Sequence, residues 1–280
     1  MRTLILGSSG QIGAALKNHC DRQSVPAIEF DLIRSHDEDL RLPGNLRLRK
    51  CLDATDFVMF LAYDVGGSRY LGTQQSRFDF ISNNARIMEY TFRALHETGK
   101  PFIFVSSQMA DLSFSPYGAL KAVGEHYARS LGGVVVKLWN VYGVETDADK
   151  SHVITDFIQK ANQARLIDMI TDGTESRQFL HAEDCSRCLV TLAEQYDAIP
   201  RDLPLHIASF QWSTIREVAE LIASLFPGTK IHAAEAKDQV QQNSLIDPDP
   251  AIRQYWEPAI PLPEGIERVA QEMGVLSNQT

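Results

Sequence analysis

Cysteine is scarce: four residues in 280, at Cys20, Cys51, Cys185 and Cys188. Only the last two lie close together, and no second cysteine pair or histidine pair stands at zinc-site spacing from them. The expectation is reduced thiols packed in or near a core, with no metal and no disulfide. An apolar run long enough to cross a bilayer is also missing, and so is a charged-then-apolar leader. The first residues already read as a strand, which sets the expectation of a cytoplasmic protein. Basic residues are outnumbered, 27 lysines and arginines against 36 carboxylates, for a formal net charge of -9. That balance argues against nucleic acid or an anionic membrane as partner. A phosphorylated small molecule remains compatible with it, because local positive charge and backbone amides suffice to hold one. Apolar residues make up 44% of the chain, ample for one large domain or two interlocked ones.

What the sequence does contain is alternation. Thr3-Leu6, Ala27-Phe30, Phe57-Leu61, Phe102-Ser106 and Val134-Leu138 are short apolar runs of the kind buried in a parallel sheet. Helical patterns at Ile12–His19, Arg86–Glu97 and Tyr117–Ser130 separate them. Strand and helix in regular exchange predict a doubly wound α/β layer fold. After Gly143 the strands become shorter and more polar, although Val153–Ala164 and Thr214–Leu225 still read as helices. The stretch from Asp247 to Pro263 is proline-rich and broken up. No repeat or low-complexity linker marks a boundary.

Gly7-Ser8-Ser9-Gly10-Gln11-Ile12-Gly13 follows the first strand and opens the first helix. Glycines at this spacing give a tight turn, let backbone approach a pyrophosphate and let the helix pack on the strand. The phosphates would lie at the helix N-terminus, held by backbone amides. A glycine-rich turn can also be purely structural, but here strand, turn, helix and Asp31 after the second strand occur in order. Asp31 accepts hydrogen bonds from a ribose 2′-hydroxyl and repels a 2′-phosphate, so the reading is NAD rather than NADP. Arg34 lies close enough to blur that choice. Asp39 and Leu40 are placed against the adenine edge, with a plain loop carboxylate as the other reading of Asp39.

Ser115-Pro116-Tyr117-Gly118-Ala119-Leu120-Lys121 supplies the chemistry. Ser115 is the expected N-cap and Pro116 the first helical residue. Tyr117 and Lys121, four apart, then share a helix face near its positive end. A tyrosine titrating near pH ~10 needs a drop of roughly three units, about 4 kcal/mol, to act as a base near neutrality. Lysine, helix end and a cationic nicotinamide ring together account for a drop of that size. Alone, Tyr-x-x-x-Lys also fits a solvated face of any amphipathic helix.

Together these residues resemble the extended short-chain dehydrogenase/reductase family, the NAD-dependent epimerases and dehydratases that act on nucleotide sugars. The resemblance takes in the glycine turn, Leu61-Ala62 with Gly66-Gly67, Asn84, and Val105-Ser106-Ser107 at a strand end. It continues through Tyr117 and Lys121, Asn140-Val141-Tyr142-Gly143, and the run from Arg177 to Asp184. Trp256-Glu257-Pro258 and Glu264-Gly265-Ile266 match the family's ending. It implies a doubly wound parallel Rossmann sheet with a smaller, interleaved C-terminal α/β substrate lobe. The expected division is 1–140 with a return segment 178–210 for the dinucleotide, and 141–177 with 211–280 for the substrate. The dinucleotide contacts implied are Gly7, Gly10, Gln11, Ile12, Gly13, Asp31, Asp39, Leu40, Leu61, Ala62, Tyr117 and Lys121.

By the same resemblance Tyr117 is the acid or base on a sugar hydroxyl, Lys121 holds the nicotinamide ribose, and Ser107 hydrogen-bonds the reacting hydroxyl. Gly67, Gln108, Met109, Asn140 and Arg177 line the substrate side, with Asn140 and Arg177 gripping the diphosphate. Asn140 as a turn residue and Arg177 in a surface ion pair are the alternatives. His181 and Asp184 are expected to organise structure.

Departures narrow the chemistry. Dehydrating relatives carry an acid pair, and 3,5-epimerising relatives a cysteine, where this chain has Gln108 and Met109. Neither an amide nor a thioether transfers a proton usefully. Lys237-Asp238-Gln239 stands where the family often has an arginine, which removes one diphosphate contact. The expectation is NAD-dependent 4-epimerisation of a nucleotide sugar through a transient 4-keto sugar. Reduction of a 4-keto nucleotide sugar and a non-catalytic NAD-binding regulatory module are the alternatives. Arg86–Glu97 and Tyr117–Leu131 resemble helices that pair in a homodimer, and packing on their own sheet explains the same pattern.

Overall fold

The computed structural model describes residues 1–112, 114–145, 147–238 and 246–277. Gln239, and with it part of the expected range 211–280, lies outside the described residues. The first half runs β1 (Thr3–Leu6), α1 (Gln11–Arg22), β2 (Ala27–Phe30), α2 (Leu46–Asp53), β3 (Phe57–Phe60), α3 (Ser68–Gln74), α4 (Phe78–Thr98), β4 (Phe102–Ser107), α5 (Pro116–Ser130) and β5 (Val134–Leu138). There follow β6 (Asn140–Tyr142), α6 (Val153–Ala164), β7 (Leu166–Asp168), β8 (Ser176–Arg177), β9 (Phe179–His181), α7 (Ala182–Glu194) and β10 (Leu205–Ile207). The chain continues with β11 (Ser213–Thr214), α8 (Ile215–Leu225), β12 (Lys230–His232) and α9 (Leu262–Glu272).

Six parallel strands form one sheet in the order β10-β5-β4-β3-β1-β2. The chain leaves β1 first toward β2 and later toward β3, so the tips of β1 and β3 diverge at a switch point where ligands of such sheets bind. Alternation within the strands separates two cores. Ile5, Met59, Ile103 and Val105 face α1 and α7, whereas Leu4, Leu6, Val58, Phe60 and Phe104 face α2, α4 and α5. On the second face, Phe92 of α4 packs edge-on against Phe60 at 5.1 Å between centroids and tilted against Phe104 at 5.4 Å. A third core, built on α6, α8 and α9 with Tyr142, Ile167 and Phe179, lies outside the main sheet.

Two of the differences from the sequence pattern have a clear local cause. α4 begins at Phe78, two turns before the expected Arg86. Ser82, Asn83 and Asn84 are weak helix formers that masked the start. Asn84 is fully buried and uses its side chain on tertiary partners: its Oδ1 accepts the Asp64 N–H at 2.8 Å, and its Nδ2 donates to the carbonyls of Asp64 and Phe80. α8 begins one residue late because Thr214 is its N-cap, in a reciprocal capping box with Glu217. All four cysteines are buried thiols.

Candidate active site

Helix α5 begins as its sequence dictates. Ser115 has extended backbone and its Oγ accepts the Gly118 N–H at 3.2 Å, with Pro116 at the first helical position. Gly118 lets this helix start lie against the turn after β4. A Cβ there would sit 2.1 Å from the Met109 carbonyl oxygen. That close approach brings the helix face onto the tip of β4. Tyr117 and Lys121 are both buried, and the Ser107 hydroxyl lies near enough to the Tyr117 phenol to favour its ionised form. Lys121 Nζ donates to the Val105 carbonyl at 2.8 Å, two residues before Ser107. Ser107, Tyr117 and Lys121 therefore converge at one strand tip.

The electrostatics of this trio run against the simplest expectation. Burial pushes the Tyr117 phenol up to about 12, with the neighbouring Ser107 hydroxyl opposing it. Burial likewise lowers Lys121 to about 7, opposed by the Glu125 carboxylate one turn further along α5. Loss of water dominates at both groups, so charge on either is disfavoured before a ligand is bound. A side chain that sequence reasoning did not single out completes the surroundings. Tyr63 lies with its ring face 3.9 Å from Lys121 Nζ and its ring edge-on to Tyr117 at 5.6 Å.

The glycine turn forms a cradle at the sheet's switch point. Gly7 has φ +88°, and a Cβ on it would come within 2.7 Å of the Ala62 backbone. A Cβ on Gly13 would fall 2.1 Å from the Gly7 oxygen, so both positions are closed to any side chain. Gly10 is the α1 N-cap, and among the described residues no side chain caps that helix end. Its amides remain directed at whatever fills the turn. Gln11 Nε2 reaches the Gly143 carbonyl at 3.4 Å, and Ile12 packs on the first core. Leu61 and Ala62 flank the turn, with Leu61 N–H bonded to the Leu6 carbonyl at 3.0 Å.

At the tip of β2, Asp31 accepts the Ser9 and Ile33 amides, each at 2.9 Å. Arg34 pairs with Glu29 at 2.9 Å, its side chain half-exposed. The Asp39 carboxylate is taken by the Arg41 guanidinium, which holds it below the usual carboxylate range. Leu40 is buried in the second core. Among the described residues, then, Asp39 and Leu40 are occupied by the protein itself. A glycine cradle, an uncapped helix end and an acceptor at the tip of β2 together fit a dinucleotide with free ribose hydroxyls.

On the other side of the crevice, Gln108 Nε2 lies 3.4 Å from Asn140 Oδ1, joining the turn after β4 to β6. The Met109 N–H bonds Ser107 Oγ at 3.2 Å. Gly67 is buried beneath the 150–152 loop; a Cβ on it would meet the Ser151 oxygen at 2.3 Å. Arg177 belongs to β8, donates to Asp238 at 2.7 Å, and both side chains are mostly buried. An anionic ligand at Arg177 competes with Asp238. Three further side chains were missed by pattern reasoning. Asp64 accepts hydrogen bonds from Tyr70 at 2.7 Å and Lys150 at 3.1 Å, tying the loop after β3 to the 147–152 turn. Gln75 holds Ser115 Oγ at 2.8 Å. Glu125, at the readable i+4 spacing from Lys121, accepts the Ser106 hydroxyl at 2.7 Å. His181 and Asp184 hold structure: His181 caps α7, and Asp184 accepts the Ala259 and Ile260 amides at 2.8 Å each.

A model of the NAD dependent epimerase/dehydratase family matches residues 3–208. The chain belongs to that family. It is a family of NAD-dependent enzymes, in keeping with the cradle described above. GDP-L-fucose synthase 1 of Arabidopsis thaliana is 23% identical over 303 residues, covering 95% of this chain and 91% of that one. The dTDP-L-rhamnose 4-epimerase of Burkholderia thailandensis is 26% identical over 174 residues, 57% of this chain and 47% of that one. Among solved structures, the UDP-glucose 4-epimerase of Thermotoga maritima superposes with TM-score 0.81 at 17% identity, covering 98% of this chain and 99% of that one. The GDP-6-OMe-4-keto-L-xylo-heptose reductase from C. jejuni gives TM-score 0.83 at 16% identity, covering 98% and 97%. These structural likenesses establish the fold. Among the described residues no helix is long and apolar enough to cross a membrane.

Proposed function

We propose that this family member carries out 4-epimerisation of a nucleotide sugar, through a transient 4-keto sugar. The observation that carries the reading is the convergence of Ser107, Tyr117 and Lys121 at one strand tip, with Gln108 and Met109 as the next two residues. That set serves a carbinol at one carbon and offers no second acid or base for loss of water or for epimerisation beside the ketone. NAD, held by Gly7, Gly10, Gly13 and Asp31, supplies a two-electron acceptor that can return what it takes. With the cationic nicotinamide ring bound beside it, the Tyr117 phenol would give up its own proton; the phenolate would then receive the hydroxyl proton as the carbinol is oxidised and give it back as the ketone is reduced on its other face. Ser107 Oγ holds the same oxygen throughout, and the Lys121 ammonium offsets the negative charge on the phenol oxygen.

Reduction of a 4-keto nucleotide sugar uses the same three residues and differs only in taking its reductant from solution. The nearly full-length match to a GDP-L-fucose synthase supports that second reading. We assign 1–140 and 178–210 to the dinucleotide and 141–177 with 211–280 to the sugar, in a cytoplasmic homodimer. The test is incubation with UDP-, GDP-, dTDP- and CDP-sugars. An epimer formed without net change in NADH absorbance supports epimerisation; stoichiometric NADH consumption with 4-keto sugars supports reduction. Tyr117→Phe is expected to lower kcat at least a hundredfold. Wild type silent across both panels, or Tyr117→Phe as active as wild type, defeats both readings.

A further inference from the structure

The side chain of Tyr63 stands where none of the roles above accounts for it. It follows Ala62, whose backbone touches Gly7, and so belongs to the dinucleotide side of the crevice. Its ring faces the Lys121 ammonium at 3.9 Å and meets Tyr117 edge-on at 5.6 Å, with planes at 79°. Its hydroxyl is shut off from solvent and has no hydrogen-bond partner among the described residues. A buried donor left unmade is costly unless something else satisfies it, and such groups cluster where ligands bind.

We propose that Tyr63 is a positioning residue of the catalytic set: its ring face holds the Lys121 ammonium beside Tyr117, and its hydroxyl is a donor kept for an oxygen of the bound dinucleotide. This rests on the reading of Lys121 and Tyr117 given above. The geometry supports the protonated form of Lys121 against the cost of burial. Among the described residues Lys121 has one hydrogen-bond acceptor, the Val105 carbonyl, for its three N–H groups. The electron-rich ring face takes a second side of the ammonium. The ionisable groups around it are few. Glu125 lies one turn along α5, itself engaged by Arg129 at 3.0 Å and Lys137 at 3.6 Å. Asp64, next to Tyr63, is engaged by Tyr70 and Lys150. Burial pushes the Tyr63 phenol far above the ordinary tyrosine range, so it stays a donor wherever the enzyme works. It cannot replace Tyr117 as base.

The test needs no sugar substrate, so its outcome is separate from that of the reaction assignment. Protein labelled with carbon-13 at lysine Cε is titrated by NMR, with Lys121 assigned from Lys121→Arg. In wild type the Lys121 methylene protons should show an upfield ring-current shift and a nuclear Overhauser contact to the Tyr63 ring. Tyr63→Phe keeps the ring and should keep both the shift and the Lys121 midpoint. Tyr63→Leu should abolish the shift and lower that midpoint by about one unit, because the ammonium loses its ring contact. In the same proteins, Tyr63→Phe should weaken NAD binding about fivefold by fluorescence titration, the loss of one hydrogen bond. A wild-type Lys121 with neither ring-current shift nor Overhauser contact overturns the ring's role, whether or not Tyr63→Leu folds. NAD affinity unchanged in Tyr63→Phe overturns the hydroxyl's role.

Discussion

Lys121 is a residue the fold tolerates at a cost. Its ammonium is buried, and burial lowers its pKa from 10.5 to about 7. The sign of the consequence follows from proton counting. Between about pH 7 and 10.5 the unfolded chain holds the lysine proton and the folded chain has released it, so this group makes stability rise with pH across that window. Below pH 7 both states carry the proton, and the folded state bears the full cost of a buried cation. Lys121→Met is therefore expected to raise Tm above wild type. The difference should be largest below pH 7 and fade by pH 10.5, as read by calorimetry across pH, while activity is lost. A Tm gain independent of pH would refute this account. The same scale shows where pattern reasoning reached its limit. Ser107, Tyr117 and Lys121 lie on regular elements, where periodicity fixes which residues share a face. Tyr63 lies in the loop after β3, and no spacing rule places a loop ring over an ammonium contributed by a helix 58 residues away in the chain.

Among the elements, α4 shows how one helix serves two purposes. Phe92 and Met88 fill the second core, while Asn84 on the same helix holds the Asp64 backbone and hence the loop that carries Tyr63. Replacing Asn84 by alanine removes three hydrogen bonds and leaves the Asp64 N–H without its acceptor. A loss of about 1–3 kcal/mol is expected, measured by urea denaturation. NAD affinity should fall as well, because the loop borders the glycine cradle. Stability within about 0.5 kcal/mol of wild type would show that water or a neighbour takes over the Asn84 bonds. Helix α5 is simpler: its cap, its proline and its glycine are all local devices, and it begins where its sequence says it must.

For the whole molecule, the two faces of the sheet are covered by different sets of helices, and α4 and α5 share one of them. Those two helices still expose Phe78 at 79%, Val123 at 46% and Tyr127 at 39% relative accessibility. That exposure supports the homodimer proposed above, which would cover this face with its own copy. Val123→Glu is expected to shift the molar mass in light scattering from dimer to monomer with Tm nearly unchanged. A wild-type protein that runs as a monomer at micromolar concentration would remove the proposal.

By itself the sequence determined the parallel sheet, its strand order of appearance, the glycine cradle and the helix that bears Tyr117 and Lys121. Each of these depends on interactions within a few residues or on a simple apolar period, and both are written linearly. Tertiary structure alone decided that Arg177 is held by Asp238 and that Gly67 lies under Ser151. It also set the direction in which Tyr117 titrates. Pairing of charges and loss of water depend on how segments distant in sequence come together in space, and no local pattern encodes that.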